Sequence, residues 1–109
     1  MDAASLPPSR EVSTVETDRY GTVFKALSEP VRLRLLSMLP KRHQKRTFCV
    51  CELAERLAIS QPCLSHHLTV LKTAGLVGFE KDGCSAFYYV DHDRLVECLD
   101  GFRKTMEER

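Results

Sequence analysis

Five cysteines, Cys49, Cys51, Cys63, Cys84 and Cys98, are the side chains best suited to soft-metal or redox chemistry, and two of them stand one residue apart as Cys49-Val50-Cys51. Thiolates select thiophilic ions, whereas magnesium or calcium would want oxygen ligands. In a regular helix residues two apart point about 200° away from each other, while in an extended segment they share a side. An ion held by both sulfurs therefore requires the start of any helix at this point to be extended or to unwind. Lys45 and Arg46, close by in the chain, would lower a thiol pKa and assist ligation or oxidation alike. An odd number of cysteines without a secretion signal argues against a disulfide framework. Two other readings of the pair stand beside ligation: small buried hydrophobes, or a switch in which the thiols are oxidised to disulfide or sulfenate. A thiol oxidoreductase is disfavoured, because no βαβ pattern surrounds the pair and the spacing is not Cys-x-x-Cys.

A second set of side chains has the chemistry of nucleic-acid recognition. From Pro30 to Lys81 there are nine Lys/Arg against three Glu, while the two flanks together hold seven basic and twelve acidic residues. The overall charge of +1 thus conceals a basic centre that a polyanion would meet. Within that centre, Leu64, His67, Leu68 and Leu71 share one helical face, and Pro62, Ser65, His66, Thr69 and Thr73 share the other, with no carboxylate among them. Short hydrogen-bonding side chains on such a face reach base edges in a major groove without repelling phosphates. Ser60, Gln61, Ser65, His66 and Thr69 are the candidate base-reading residues. Arg42, Lys45, Arg46 and Lys81 are candidates for phosphate contacts, which fix register and set salt dependence. His67, on the apolar face, reads as a hydrogen-bonded core residue.

The elements that must position these groups follow from periodicity. A chain of 109 residues, 43% hydrophobic and 28% charged, has room for one folded domain. No apolar run approaches the roughly 18 residues of a membrane helix, and the first ten residues lack a signal-peptide pattern, so a cytoplasmic address is expected. Residues 1–16 read as a mobile tail and 17–109 as the domain. Tyr20, Val23, Phe24 and Leu27 form the stripe of a helix over Asp18–Leu27. Ser28 is a candidate cap for a second helix that Pro40 ends. A third helix is expected over Val50–Leu57, and a fourth from Gln61 to Ala74, capped by Ser60 and stopped by Gly75. Leu76–Lys81 and Ser85–Val90 form a hairpin through Asp82-Gly83. Leu95, Leu99, Phe102 and Met106 mark a last helix over Asp93–Glu107, whose narrow stripe suits pairing with another helix. The result is a mainly α fold with a small β-hairpin, in the order of a winged helix-turn-helix.

Four segments in this order resemble the ArsR/SmtB family of bacterial metal-responsive repressors: Ala26-Leu27-Ser28-Glu29-Pro30-Val31-Arg32-Leu33-Arg34-Leu35-Leu36, Cys49-Val50-Cys51-Glu52-Leu53, Ser60-Gln61-Pro62-Cys63-Leu64-Ser65-His66-His67-Leu68, and Leu71-Lys72-Thr73-Ala74-Gly75-Leu76-Val77. The resemblance implies a homodimer held by the first and last helices, through Tyr20, Val23, Phe24, Leu95, Leu99, Phe102 and Met106. It further implies binding to double-stranded operator DNA with an imperfect inverted repeat, and release by an inducer. The Cys49-Val50-Cys51 segment resembles the arsenic-sensing motif in that family's third helix, which makes arsenite or antimonite the expected inducer and the function repression of a metal(loid)-resistance operon. The best-known arsenic sensors carry another cysteine where this chain has Ala54, so Cys84, Cys63, Cys98 or a cellular thiol would complete a three-sulfur site. The N-terminal cysteines of cadmium and lead sensors have no counterpart here. Asp91-His92-Asp93 starts like the zinc sensors' ligand set, but Lys104 and Glu107 do not complete it. The alternative on the same fold is a thiol redox-sensing repressor.

Overall fold

A computed structural model describes residues 13–42, 44 and 48–108. Its elements run α1 (Thr14–Leu27), α2 (Pro30–Met38), α3 (Val50–Leu57), α4 (Gln61–Thr73), β1 (Val77–Asp82), β2 (Ser85–Val90) and α5 (His92–Glu107). Helix α1 begins at Thr14, four residues before the expected start at Asp18. Ser13 caps it by accepting from the Glu16 backbone N–H at 3.1 Å. Residues 13–16 thus belong to the helix and its cap and not to the tail. The Ser-x-x-Glu spacing of a capping box is the local signal for that start. Ser28 closes α1 instead of opening α2, its hydroxyl donating to the Lys25 carbonyl at 2.8 Å. The α2 cap is Glu29, which accepts from the Val31 N–H at 3.2 Å.

Helices α3 and α4 are joined by Ala58, Ile59 and Ser60. Ala58 is left-handed at φ 55°, and the Ile59 N–H reaches back to the Ala54 carbonyl at 3.1 Å. Helix α4 ends similarly: Gly75 has φ 79°, the Gly75 N–H donates to the Lys72 carbonyl and the Leu76 N–H to the Leu71 carbonyl, both at 2.9 Å. These paired bonds satisfy carbonyls that a helix end leaves open.

The core gathers Leu35 from α2, Leu53 and Leu57 from α3, Leu64, Leu68 and Leu71 from α4, Leu76 and Val77 at the wing, and Cys98 from α5. In the hairpin Val77 pairs with Val90 and Asp82 with Ser85. The connection is therefore Gly83-Cys84, one residue later than Asp82-Gly83. Only Gly83 takes positive φ, at 63°, which matches a turn with glycine at its first central position. Lys41 adds a short parallel bridge to Val90, and the Val90 N–H donates to the Pro40 carbonyl at 2.8 Å, tying the chain after α2 to the wing.

Helix α5 lies against α1. Phe102 packs edge-on against Tyr20 and Phe24, with ring centres 5.3 and 4.8 Å apart. Val23 departs from its expected partner-facing role. It is 3% exposed and part of the protomer's own core, because the α1 stripe is wide enough to divide between two surfaces. Val96 and Leu99 on α5 are exposed at 49% and 41%.

Candidate nucleic-acid interface and thiol pair

Helix α4 presents the two faces its sequence implies. Leu64, Leu68 and Leu71 are buried and His67 is half-buried, whereas Gln61, Ser65, His66, Thr69 and Thr73 are exposed. Ser60 caps the helix by accepting from the Cys63 N–H at 3.2 Å, and Pro62 fits in the first turn, where no N–H partner is needed. The start of the helix, where base contacts are expected, is thus firmly set. Lys81 is exposed on the wing. Arg42 is exposed beside it, with its guanidinium 5.4 Å from the Tyr89 ring centre. Lys45 and Arg46 lie outside the described residues.

Not every basic residue of the centre faces outward. The Arg32 Nε donates to the Ala26 carbonyl at 2.6 Å, its Nη2 donates to the Lys25 carbonyl at 3.1 Å, and its Nη1 lies 3.1 Å from His67 Nδ1. This guanidinium is consumed inside the protomer. His67 is hydrogen-bonded as expected, and its pKa is lowered, first by burial and then by the Arg32 charge. Charge counting missed the role of Arg32, since nothing local to α2 indicates which distant groups it meets.

The thiols of Cys49 and Cys51 come together. Their sulfurs are 3.0 Å apart. Cys49 is the N-cap of α3, with extended backbone at φ −83° and ψ 172°, while Cys51 sits in the first helical turn. The 200° divergence of a regular helix is avoided because the first cysteine stands just outside it. Glu52 holds this arrangement: its Oε1 accepts from the Cys49 N–H at 3.4 Å and from the Cys49 Sγ at 3.2 Å. The Cys49 thiol is raised above its ordinary pKa, chiefly by its hydrogen bond with Cys51; the Glu52 backbone works against this and the Glu52 carboxylate with it. Glu52 is correspondingly lowered, first by its bond to the Cys49 side chain. These contacts therefore favour the protonated form of the Cys49 thiol; the expected effect of Lys45 and Arg46 lies outside the described residues. Just before the pair, the Phe48 ring centre lies 4.4 Å from the Arg56 guanidinium, which links the entry to the last turn of α3.

The remaining cysteines are dispersed. Cys63 is exposed on α4, Cys84 is exposed in the wing turn, and Cys98 is buried. Among the described residues no group of three or more His, Cys, Asp or Glu is placed to hold a metal ion together. None of the three completes a site with Cys49 and Cys51 in this arrangement. On α5, Lys104 pairs with Asp100 at 3.3 Å and Glu107 with Arg103 at 2.8 Å, so the positions where zinc sensors would place ligands are engaged in ion pairs.

A short helix, a three-residue turn, a carboxylate-free helix capped by a serine and a hairpin with Lys81 exposed define a winged helix-turn-helix DNA-binding protein. Residues 29–78 match the model of the bacterial regulatory proteins of the arsR family. The chain is 39% identical over 103 residues to the HTH-type transcriptional repressor SmtB of Mycobacterium tuberculosis, covering 94% of this chain and 70% of that protein. It is 38% identical over 75 residues to the arsenical resistance operon repressor of Staphylococcus xylosus, covering 69% and 68%. An ArsR-like transcriptional regulator from Rhodococcus sp. RHA1 superposes with a TM-score of 0.74 at 25% identity, over 89% of this chain and 85% of that one. The chain belongs to the ArsR family of transcriptional regulators, and it is a regulator and not an enzyme.

Proposed function

We propose that this protein is a homodimeric repressor of a metal(loid)-resistance operon that leaves its operator when arsenite, or antimonite, is captured by Cys49 and Cys51. The observation that carries the reading is the 3.0 Å approach of the two sulfurs at the start of α3. Arsenous acid is neutral and forms two As–S bonds with two thiols, releasing two waters and no net proton. A divalent cation must instead displace the thiol protons. Raising the Cys49 thiol therefore disfavours zinc or cadmium more than arsenite. A cellular thiol serves as the third sulfur in this reading.

Ligation acts over a short distance. Drawing both sulfurs onto one arsenic displaces Cys49 from Glu52 and reshapes the first turn of α3. That helix spans only about 12 Å and buries Leu53, Ala54 and Leu57 in the same core as the recognition helix. A shift of α3 is thus transmitted by packing to Leu64 and Leu68 and to the DNA face behind them.

The dimer reading rests on α1 and α5. Exposed Val96 and Leu99 adjoin the Phe102, Tyr20 and Phe24 cluster, with half-buried Leu95 and Met106 on the same helix. A second copy would cover this apolar surface and present two recognition helices to an imperfect inverted repeat about one DNA turn apart.

The thiol contact also supports a second reading, a redox-sensing repressor, in which peroxide takes two electrons and two protons from the pair, forming one disulfide and two waters. Fluorescence anisotropy on a duplex selected by the wild-type protein from a random library separates the two. Arsenite is expected to release the wild type, with Cys49→Ser and Cys51→Ser binding DNA but not responding. Full arsenite release of both variants would overturn the assignment, and release by peroxide alone would establish the redox reading.

A further inference from the structure

We infer that Arg32 is a positioning residue for DNA recognition: by tying the recognition helix to the last turn of α1, it sets the half-site spacing that a dimer of this chain can read. The inference rests on the dimeric operator-binding reading above. Arg32 projects from the first turn of α2 and spans two other elements. Its Nε and Nη2 donate to the carbonyls of Ala26 and Lys25, and its Nη1 approaches His67 Nδ1. Those carbonyls are at the C-terminal end of α1, where open acceptors and the negative end of the helix dipole favour a cation. A planar guanidinium can make these contacts at once, which a lysine ammonium cannot reproduce.

The link matters because the neighbouring edge is not packed. A cleft of about 560 Å³ opens along one edge of the two helices, with Thr22 and Lys25 on the α1 side and His66, Thr69 and Thr73 on the α4 side. Val23 and Ala26 of α1 share the core with Leu68 and Leu71 of α4, and along the open edge beside that core the Arg32 fork is a side-chain tie between the two helices. The α4 wall of this cleft carries part of the DNA face. Helix α1 in turn belongs to the surface that meets the second copy, so each recognition helix is referred to the dimer axis through α1. A change in cleft width moves the two recognition helices relative to each other.

His67 makes the link sensitive to protonation. Its Nδ1 accepts from Arg32 only when the ring is neutral; a second ring proton would set two donors against each other. The charged and titratable groups around it are Arg32 on α2, Glu29 at the α2 cap and His66 on α4, with Lys25 of α1 across the cleft. Glutamine at position 67 keeps an acceptor that does not titrate, and leucine keeps none.

The test uses the full chain and the library-selected duplex, with derivatives whose half-sites are one base pair closer or farther apart. Arg32→Gln is expected to retain the wild-type circular dichroism and dimer mass. It should lose about tenfold in affinity for the selected duplex and bind the three spacings within about twofold of one another. Arg32→Lys should fall between it and wild type. His67→Leu should follow Arg32→Gln, while His67→Gln should keep the spacing preference and lose the decline in binding on acidification. Without DNA, the His67 imidazole followed by NMR should titrate at higher pH in Arg32→Gln, since a neighbouring cation has gone. Wild-type spacing preference in Arg32→Gln, or in His67→Leu if the former does not fold, overturns the inference. An unshifted His67 titration also overturns it. If the wild type selects no two-fold sequence, the dimeric operator reading fails, and the NMR titration alone decides whether the Arg32–His67 contact exists.

Discussion

Helices α3 and α4 are neighbours of similar construction, and they differ most where each begins. The α4 start has a hydroxyl cap at Ser60 and a proline in the first turn. The α3 start has Cys49 in the cap position, a residue type outside the preferred N-cap set, held by Glu52 reaching back to its N–H and sulfur. One start is built to stay in place, as base reading requires. The other is held by groups that a thiophilic ligand would take away. The pair of helices thus combines a hydroxyl-capped start with a first turn whose arrangement depends on the Cys49 thiol held by Glu52.

The largest expected effect tests that dependence directly. In Cys51→Ala the arsenite concentration that half-releases DNA should rise by at least about tenfold, the equivalent of roughly 1.4 kcal/mol, in the anisotropy titration. An unchanged midpoint would remove α3 from the sensing role. Next in size, Ser60→Ala should cost about 1 kcal/mol in urea unfolding, because the Cys63 N–H loses its acceptor. A negligible cost would erase the contrast between the two starts.

A smaller change of opposite sign is expected for Cys49→Ser. Serine is a preferred cap, so this variant should be more stable than wild type by about 0.5 kcal/mol while losing its arsenite response. Stability and sensing would then separate at one position. Lower stability than wild type would mean the cysteine cap is already the better one. The smallest effect is a proton count. The Cys49 thiol is raised above its ordinary value, chiefly by its hydrogen bond with Cys51, so it is protonated at neutral pH. Calorimetry at pH 7 in buffers of different ionisation enthalpy should show no net proton release with arsenite and release with cadmium. Proton uptake with arsenite and no release with cadmium would show the thiols to be ionised beforehand.

Both helices differ from other elements in how much of them could be read along the chain. Both were legible, because their signals are local: Ser60 before Gln61-Pro62, Gly75 after Ala74, helix-forming residues after Val50, and a hydrophobic period of three and four. The α1 start was less so, since its Ser13 and Glu16 precede any apolar stripe. The wing turn shifted by one residue because Asp82-Gly83 and Gly83-Cys84 both offer a glycine with positive φ. Strand register, set by Val77 opposite Val90, decides between them.

Residue type and order along the chain suffice for the winged helix, the carboxylate-free face of α4 and the close spacing of two thiols, because caps, turns and helical faces act within about four residues. Three things depended on packing. Whether Val23 faces its own core or a partner is decided by where α1 lies. The 3.0 Å sulfur contact exists because the α3 boundary falls between the two cysteines. Arg32 and His67, 35 positions apart, meet only once α1, α2 and α4 are assembled. A guanidinium carries no mark in sequence of whether it will face a phosphate or a helix end, and the closure of the core makes that choice.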